Sequence, residues 1–443
     1  MRADVVVVGA GMAGLTCALD LKEAGADVVV LEAGRRPGGR VRTVTFDDGR
    51  WVESGGEWVD TAHGHVHRLL ERFGLGTVGD AAPWWEREAG WVDDAHGLRP
   101  AADVWTDDPE VRAGFASFDL ALSVVAGGMP DPSRPDLHPD AGSIDARSAA
   151  DLFDELDLTE FARFFLTRSI EFEYTCQPAE ISVLFLAQQR AVELAEERAF
   201  GAVRSQRVAG GLSQLARAMA AELGGSLRFG EPLMALRHDD DRATALSRSA
   251  EIRASHAVLA LPLPPLRSVA VAPAFEGAFG DGVARLAYGA VTKSFVRSSV
   301  RPPFPWAVTG RFLQRVYDAT EDQSGAGCVL DAYVGGDGAR ELDASYPDAV
   351  DRVSFVAKEL EAMLPQLGTL DPSSGLSRSW TAHPRFGGSF SLWKPGFVTS
   401  FWQALREPYG RVHLAGEHVA TVCGYVEGAV ESGHRVAERL VNA

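Results

Sequence analysis

Residues 5–42 read VVVVGAGMAGLTCALDLKEAGADVVVLEAGRRPGGRVR. The four valines leave no room for polar alternation, which is typical of a strand covered on both faces, as in a parallel sheet. Gly9, Gly11 and Gly14 follow at G-x-G-x-x-G spacing, and an apolar-periodic segment begins directly after them. These residues therefore predict a strand, a glycine-rich turn and a helix, which open a Rossmann-like α/β fold.

The spacing of the three glycines has a mechanical reason. Gly9 permits a tight turn, Gly11 lets the backbone approach a pyrophosphate, and Gly14 lets the helix pack closely on the strand. The first helical residues, Met12 and Ala13, offer free N–H groups and the positive end of the helix dipole to phosphates. We therefore expect a dinucleotide at this turn.

A second predicted strand, 27–31, is followed by an acidic residue. The carboxylate of Glu32 is placed to accept hydrogen bonds from ribose hydroxyls and would repel a 2′-phosphate. A cationic, glycine-rich turn comes next, and because NAD-binding units do not usually need such a turn, it favours FAD. In this half of the motif, the residues expected to contact the dinucleotide are Glu32, Ala33, Arg35, Gly38, Gly39 and Arg40.

The chain resembles the flavin-containing amine oxidase family, which includes monoamine oxidase, polyamine oxidase and L-amino acid oxidase. That family opens with a dinucleotide fingerprint and then E-A-x-x-R-x-G-G-R, which stands here at residues 32–40. The resemblance implies a glutathione-reductase-like FAD-binding domain with an interleaved α+β substrate domain. We assign the FAD-binding domain to residues 1–75, 205–265 and 405–443, and the substrate domain to residues 76–204 and 266–404.

The resemblance also implies which segments surround the flavin. The Gly55-Gly56 pair would let the flat ring approach the backbone, because neither residue has a side chain. Glu57 and Trp58 follow in the same segment, with Trp58 projecting toward the substrate cavity, and Leu233 would contact the adenine.

The C-terminal runs A-G-E and G-Y-x-x-G-A match the second half of the family's flavin site. The residues carried over from them are Gly416, Glu417, Gly424, Tyr425 and Val426. Glu417 would bind the ribityl chain. The N-terminus of the last helix would face the ring edge where negative charge collects on reduction.

Lys293 lies in a predicted strand, on the same face as Val291 and Phe295, where an ammonium is costly unless it has a partner. The family has a lysine at the matching position, held through a water to flavin N5. A cation there can stabilise superoxide, so we expect an oxidase that reduces O2 to hydrogen peroxide.

Phe390 and Tyr425 match the family's aromatic pair, which would orient the amine on its way to the ring. Monoamine oxidases bind the flavin covalently through a cysteine in a Gly-Gly-Cys-Tyr run, whereas this chain has Ser389 and Phe390. The difference predicts noncovalent FAD. The expected reaction is oxidation of an amine to an imine, which hydrolyses to an aldehyde or ketone and ammonia.

Composition and charge argue against several other classes of protein. The net charge of −18 over 443 residues argues against a nucleic-acid partner. Neither an apolar run of membrane-spanning length nor a signal peptide is recognisable, so we expect a cytoplasmic protein with no membrane partner. Four cysteines without C-x-x-C spacing give no reason to expect a metal. A homodimer is left open.

Some alternatives stay open at this point. An L-amino acid oxidase would need an arginine for the substrate carboxylate, and the sequence does not rank Arg204, Arg207, Arg297 and Arg311. A flavin desaturase, a flavin dehydrogenase that does not use O2, an NAD-dependent dehydrogenase and a catalytically silent FAD-binding protein are the others. The identity of the substrate is not readable from these patterns.

Overall fold

The structure, a computed structural model, describes residues 1–81, 90–94 and 97–442. Two large sheets dominate the described part. The first contains, in spatial order, Leu227–Phe229, Val28–Glu32, Arg2–Val8, Glu251–Leu259, Ala243–Leu246, Ala235–His238 and Ala270–Ala272, with Val412–Leu414 paired to Glu251–Leu259. The second contains Leu376–Ser379, Val291–Ser298, Cys328–Gly335, Arg315–Asp318, Trp306–Thr309, Trp91–Asp94 and Gly97–Pro100.

Smaller sheets and helices complete the fold. The smaller sheets pair Thr43–Thr45 with Trp51–Glu53, Ala287–Tyr288 with Ser391–Leu392, and Ser205–Val208 with both Val59–Asp60 and Thr77–Ala81. The α-helices of the described residues are Met12–Glu23, Gly64–Arg72, Ala101–Asp107, Pro109–Gly127, Ala141–Asp145, Ala149–Glu155, Glu160–Glu173, Val183–Phe200, Ser213–Leu223, Leu263–Leu266, Gly277–Arg285, Gly336–Ser345, Ala349–Met363, Phe397–Arg406 and Val426–Val441. This mixture of parallel sheet and helices confirms the predicted α/β class.

The predicted strand, turn, helix and second strand are all present at the N-terminus. Arg2–Val8 pairs in parallel with Val28–Glu32, and Met12–Glu23 connects them. A Cβ on Gly9, whose φ is +104°, would lie 2.4 Å from the Ala260 carbonyl oxygen, and one on Gly14 would lie 2.0 Å from the Gly9 carbonyl oxygen. Both positions therefore require glycine for close packing.

Segments from the beginning, middle and end of the chain meet in the first sheet. Glu251–Leu259 runs parallel to Arg2–Val8 on the side opposite Val28–Glu32, and Val412–Leu414 adds to it in parallel at Leu259. Because the carboxyl ends of parallel strands lie at one edge of a sheet, the loops that follow these strands come together there.

Lys293 lies on an inner strand of the second sheet. Val291–Ser298 is paired antiparallel with Cys328–Gly335 on one side and with Leu376–Ser379 on the other. The side chain of Lys293 is 4% exposed, so it does not reach solvent from a sheet edge.

The division of the chain into two domains at the stated residues stays a prediction. The first sheet includes Ala270–Ala272, a few residues beyond the boundary expected at 265. None of the helices in residues 1–81, 90–94 and 97–442 combines the length and apolar character needed to cross a membrane.

Candidate active site

A cavity of about 510 Å³ extends from the glycine-rich turn to the second sheet. Most of the residues selected from the sequence line it. They are Gly9, Gly11, Met12, Ala13, Glu32, Ala33, Gly38, Gly39, Arg40, Gly55, Gly56, Leu233, Lys293, Phe390, Gly416, Glu417, Gly424, Tyr425 and Val426. Residues more than 400 positions apart in the chain therefore share one cavity.

Four of the selected residues are absent from this lining. Gly14 is buried under the turn, and Arg35 is exposed. Glu57 and Trp58 line a second cavity instead. The cationic side chain that reaches the larger cavity from this turn is Arg40.

The second cavity, of about 250 Å³, adjoins the first. The residues that line both are Gly55, Gly56, Lys293, Tyr333, Phe390, Gly424, Tyr425 and Val426. The junction between the two cavities therefore carries the predicted lysine and the predicted aromatic pair. A molecule extended through the larger cavity would meet there a smaller molecule held in the second.

The larger cavity has the features that a dinucleotide requires. The helix Met12–Glu23 starts at Gly11 without a side-chain cap, which leaves its first N–H groups free. A Cβ on Gly11 would meet no atom within 4 Å, so this backbone faces open space. Glu32 accepts hydrogen bonds from the N–H groups of Ala10, at 2.9 Å, and Gly34, at 2.6 Å, which hold its carboxylate at the end of the strand.

Glu417 is a buried anion that ties together three parts of the wall. It accepts hydrogen bonds from Arg40 at 2.9 Å, from the Ser391 hydroxyl at 2.8 Å and from the Gly424 N–H at 3.1 Å. Burial alone raises the pKa of Glu417, but Arg40 and the Ser391 hydrogen bond lower it below its usual range. The charged pair therefore joins the N-terminal turn to the C-terminal segment.

The ammonium of Lys293 has three oxygen partners. Its Nζ lies 2.7 Å from Glu57 Oε2, 3.0 Å from Asp331 Oδ2 and 2.8 Å from the carbonyl oxygen of Glu53. Burial on its own lowers the pKa of Lys293, but Asp331 and Glu57 raise it overall, so the group stays cationic. Sequence patterns did not reveal this arrangement, because Asp331 lies on the neighbouring strand 38 residues away.

Two further side chains surround the carboxylates. The hydroxyl oxygen of Tyr317 lies 2.8 Å from Glu57 and 2.6 Å from Asp331, and its single proton is donated to one of these carboxylates at a time. The Nε atom of Arg207 lies 3.0 Å from Glu57 Oε1. The guanidinium group of Arg207 also lies 4.5 Å from the centroid of the Trp58 ring. Glu57 is thus an ion-pair partner of Lys293 and Arg207.

Tyr425 is fixed by a carboxyl group of the second cavity. Its hydroxyl donates to Glu173 Oε1 at 2.6 Å, and its ring meets that of His63 edge-on at 5.4 Å between centroids. Burial raises the pKa of Glu173 to about 8, so this carboxyl is neutral at pH 7. Glu173 was not predictable from the sequence, since it is the last residue of a helix whose pattern is that of ordinary core packing.

No group of three or more His, Cys, Asp or Glu side chains arranged to hold a metal occurs among the residues that the structure describes. Cys423, beside Gly424, is buried, and this burial raises the pKa of its thiol well above the usual value.

Comparison with known proteins shows the family to which the sequence is similar along nearly its whole length. The profile of the family described as flavin containing amine oxidoreductase matches residues 12–441. The L-amino acid dehydrogenase of Synechocystis sp. is 25% identical over 99% of this chain and 94% of its own length. A flavin-containing amine oxidase of Danio rerio is 26% identical over 99% of this chain and 86% of its own length.

Solved structures share the fold. Putrescine oxidase bound to putrescine superposes with a TM-score of 0.86 at 23% identity, covering 100% of both chains. Cyclohexylamine oxidase from Brevibacterium oxydans gives a TM-score of 0.85 at 23% identity, covering 99% of both chains.

Proposed function

We propose that this chain, which belongs to the flavin-containing amine oxidoreductase family, holds FAD without a covalent bond and passes electrons from an amine to O2. Its family makes it a flavin-dependent enzyme that oxidises amines. The proposal adds the form of the flavin, the electron acceptor and the roles of individual side chains. A cytoplasmic location belongs to the same proposal.

Two features support FAD rather than a shorter flavin. The larger cavity extends from the junction with the second cavity to Glu32 and the free N–H groups beside Gly11, where a pyrophosphate and a ribose find partners. Leu233 lines the same cavity and suits the adenine. A noncovalent flavin is supported by Ser389 at the position of the family's linking cysteine and by the protonated, buried thiol of Cys423.

The proposed chemistry relies on the cofactor for electron transfer and on the protein for position. A bound flavin accepts a hydride equivalent from the carbon that carries the amine. Phe390 and Tyr425 line the junction, where their aromatic rings would orient the uncharged, reactive amine. The neutral Glu173 supports this, since an ionised carboxylate beside the amine would keep it protonated.

The single observation that carries the oxidase proposal is the buried Lys293 ammonium at the junction of the two cavities. Because Glu57 and Asp331 hold it cationic and in place, it supplies preorganised positive charge where O2 gains electrons. The similarity to an L-amino acid dehydrogenase supports a second candidate, an enzyme that uses an acceptor other than O2.

The test uses purified holoprotein. Acid precipitation is expected to release the flavin into the supernatant, where chromatography identifies it as FAD; flavin that stays with the pellet contradicts noncovalent binding. A panel of amines and amino acids is then added without oxygen to find those that bleach the flavin. Admission of O2 should restore the absorbance and form one equivalent of peroxide, whereas reoxidation by a quinone or dye alone favours the dehydrogenase.

A further inference from the structure

The smaller cavity contains a buried arginine that the sequence analysis did not single out. Arg315 begins the strand Arg315–Asp318 and lies between Val308 and Tyr333 on the neighbouring strands. It is 6% exposed and lines the second cavity. Its guanidinium lies 3.9 Å from the centroid of the Phe172 ring and 4.3 Å from that of Trp306.

Arg315 differs from the four arginines considered from the sequence. Arg207 pairs with Glu57 and Asp322, Arg297 with Asp47 and Asp48, Arg311 with Asp93, and Arg204 with Asp80. Arg315 pairs with no carboxylate and donates no side-chain hydrogen bond within the described ranges, and its buried Nε has no partner.

Burial of a guanidinium group without an ion-pair partner costs free energy. Aromatic faces attract the cation but accept none of its in-plane hydrogen bonds in the way a carboxylate does. Burial lowers the pKa of Arg315 to about 10, so the group remains charged at neutral pH despite its surroundings. A fold that keeps such a cation in a cavity wall leaves its N–H groups available to a ligand.

The acids that line the same cavity have partners other than Arg315 or are exposed. Glu57 pairs with Lys293 and Arg207, and Asp318 pairs with Arg301. Asp60, whose pKa burial raises to about 6, accepts a hydrogen bond from Ser205 at 2.6 Å. Glu173, whose pKa burial raises to about 8, accepts one from Tyr425, and Glu321 is exposed. Among the described residues that line this cavity, Arg315 is therefore a cation with no ion-pair partner.

We propose that Arg315 binds a carboxylate of the substrate, and hence that the substrate is an amine that also carries a carboxylate, an amino acid, rather than a simple amine or a diamine. This inference rests on the proposed function, because it places the amine at the Phe390 and Tyr425 wall and the carboxylate at Arg315 in the wall of the same cavity. The guanidinium fork suits a planar carboxylate, with two parallel hydrogen bonds.

The experiment compares amino acids with the amines that they would give on decarboxylation, such as phenylalanine with phenethylamine and leucine with isopentylamine. The rate constant of anaerobic flavin reduction and its dependence on substrate concentration are measured for wild type, Arg315→Met and Arg315→Lys. Arg297→Met is the matched control, because Arg297 lies in an ion pair on the same sheet and lines neither cavity.

For wild type, we expect faster reduction by the amino acid of each pair. Arg315→Met should lower the second-order rate constant for the amino acid by about 100-fold or more, because a buried charged hydrogen-bond partner is lost. The constant for the amine should stay within about threefold, and Arg315→Lys should be intermediate because lysine keeps the charge and loses the fork. Arg297→Met should behave as wild type toward both.

A binding measurement separates recognition from folding. Benzoate, which carries a carboxylate and no amine, should perturb the flavin spectrum of the wild-type protein. This effect should be lost in Arg315→Met and weakened in Arg315→Lys. If simple amines or diamines reduce wild-type flavin at least as fast as amino acids and benzoate does not bind, the role of Arg315 is wrong while the proposed function stands. If no amine or amino acid reduces the flavin, the proposed function itself fails.

Discussion

Lys293→Met removes the ammonium at the cavity junction and leaves an unbranched apolar side chain in its place. In the wild type the ammonium lies 2.7 Å from Glu57 and 3.0 Å from Asp331. Removal of one partner from a buried ion pair typically costs about 3–5 kcal/mol. Arg207 remains 3.0 Å from Glu57, and Asp331, whose pKa burial raises to about 6, can take up a proton. We therefore expect a loss at the lower end of this range, about 3 kcal/mol in the free energy of unfolding at pH 7.

The kinetic effect of the same substitution should be confined to the oxygen reaction. Loss of one preorganised electrostatic group usually slows a step about 100- to 1,000-fold, so the reduced flavin should reoxidise in air about 100-fold more slowly. Stopped-flow absorbance measures this rate, and the same instrument measures anaerobic reduction by substrate, which should change far less.

A double variant separates the electrostatic role from damage to the fold. Lys293→Met with Asp331→Asn removes the uncompensated acid together with the cation, so stability should recover toward wild type while reoxidation stays slow. Reoxidation at the wild-type rate in Lys293→Met, or recovery of that rate in the double variant, would show that the cation does not assist the oxygen reaction.

Three further substitutions test the glycine-rich turn and the carboxyl group that Tyr425 contacts. Gly14→Ala should destabilise the protein by about 1–3 kcal/mol or more in denaturant unfolding, because its Cβ would lie 2.0 Å from the Gly9 carbonyl oxygen. Gly11→Ala should unfold like wild type and yet retain less flavin in equilibrium dialysis, since its Cβ meets only open space; normal retention would contradict a phosphate site here. In the flavin-free protein, burial raises the pKa of Glu173 to about 8, so its contribution to stability is lost as pH rises from about 4.5 to about 8. Glu173→Gln should therefore gain stability relative to wild type across this range in urea unfolding, and parallel curves for the two proteins would disprove the shift.

At the glycine-rich end of the candidate site, the sequence indicated the local backbone geometry and most of the residues that line the larger cavity. This geometry follows from residues that are close together in the sequence: a buried strand, a tight turn that requires glycine, and an acid at the end of the next strand. Gly9 and Gly14 meet close backbone contacts, and Glu32 lines the larger cavity, as the spacing indicated. Arg35 is the exception, because the turn points that side chain to solvent and the neighbouring Arg36 bonds to backbone carbonyl groups.

The charge balance of the substrate end was decided only when the chain folded. The sequence marked Lys293 as a cation in need of a partner, but its partners, Glu57 and Asp331, come from other segments of the chain. Arg315 was invisible for the opposite reason: whether an arginine is paired depends on which acids lie near it in space, and no local pattern records their absence. Backbone turns are set by neighbours in sequence, whereas the charge state and availability of buried groups are set by neighbours in three dimensions.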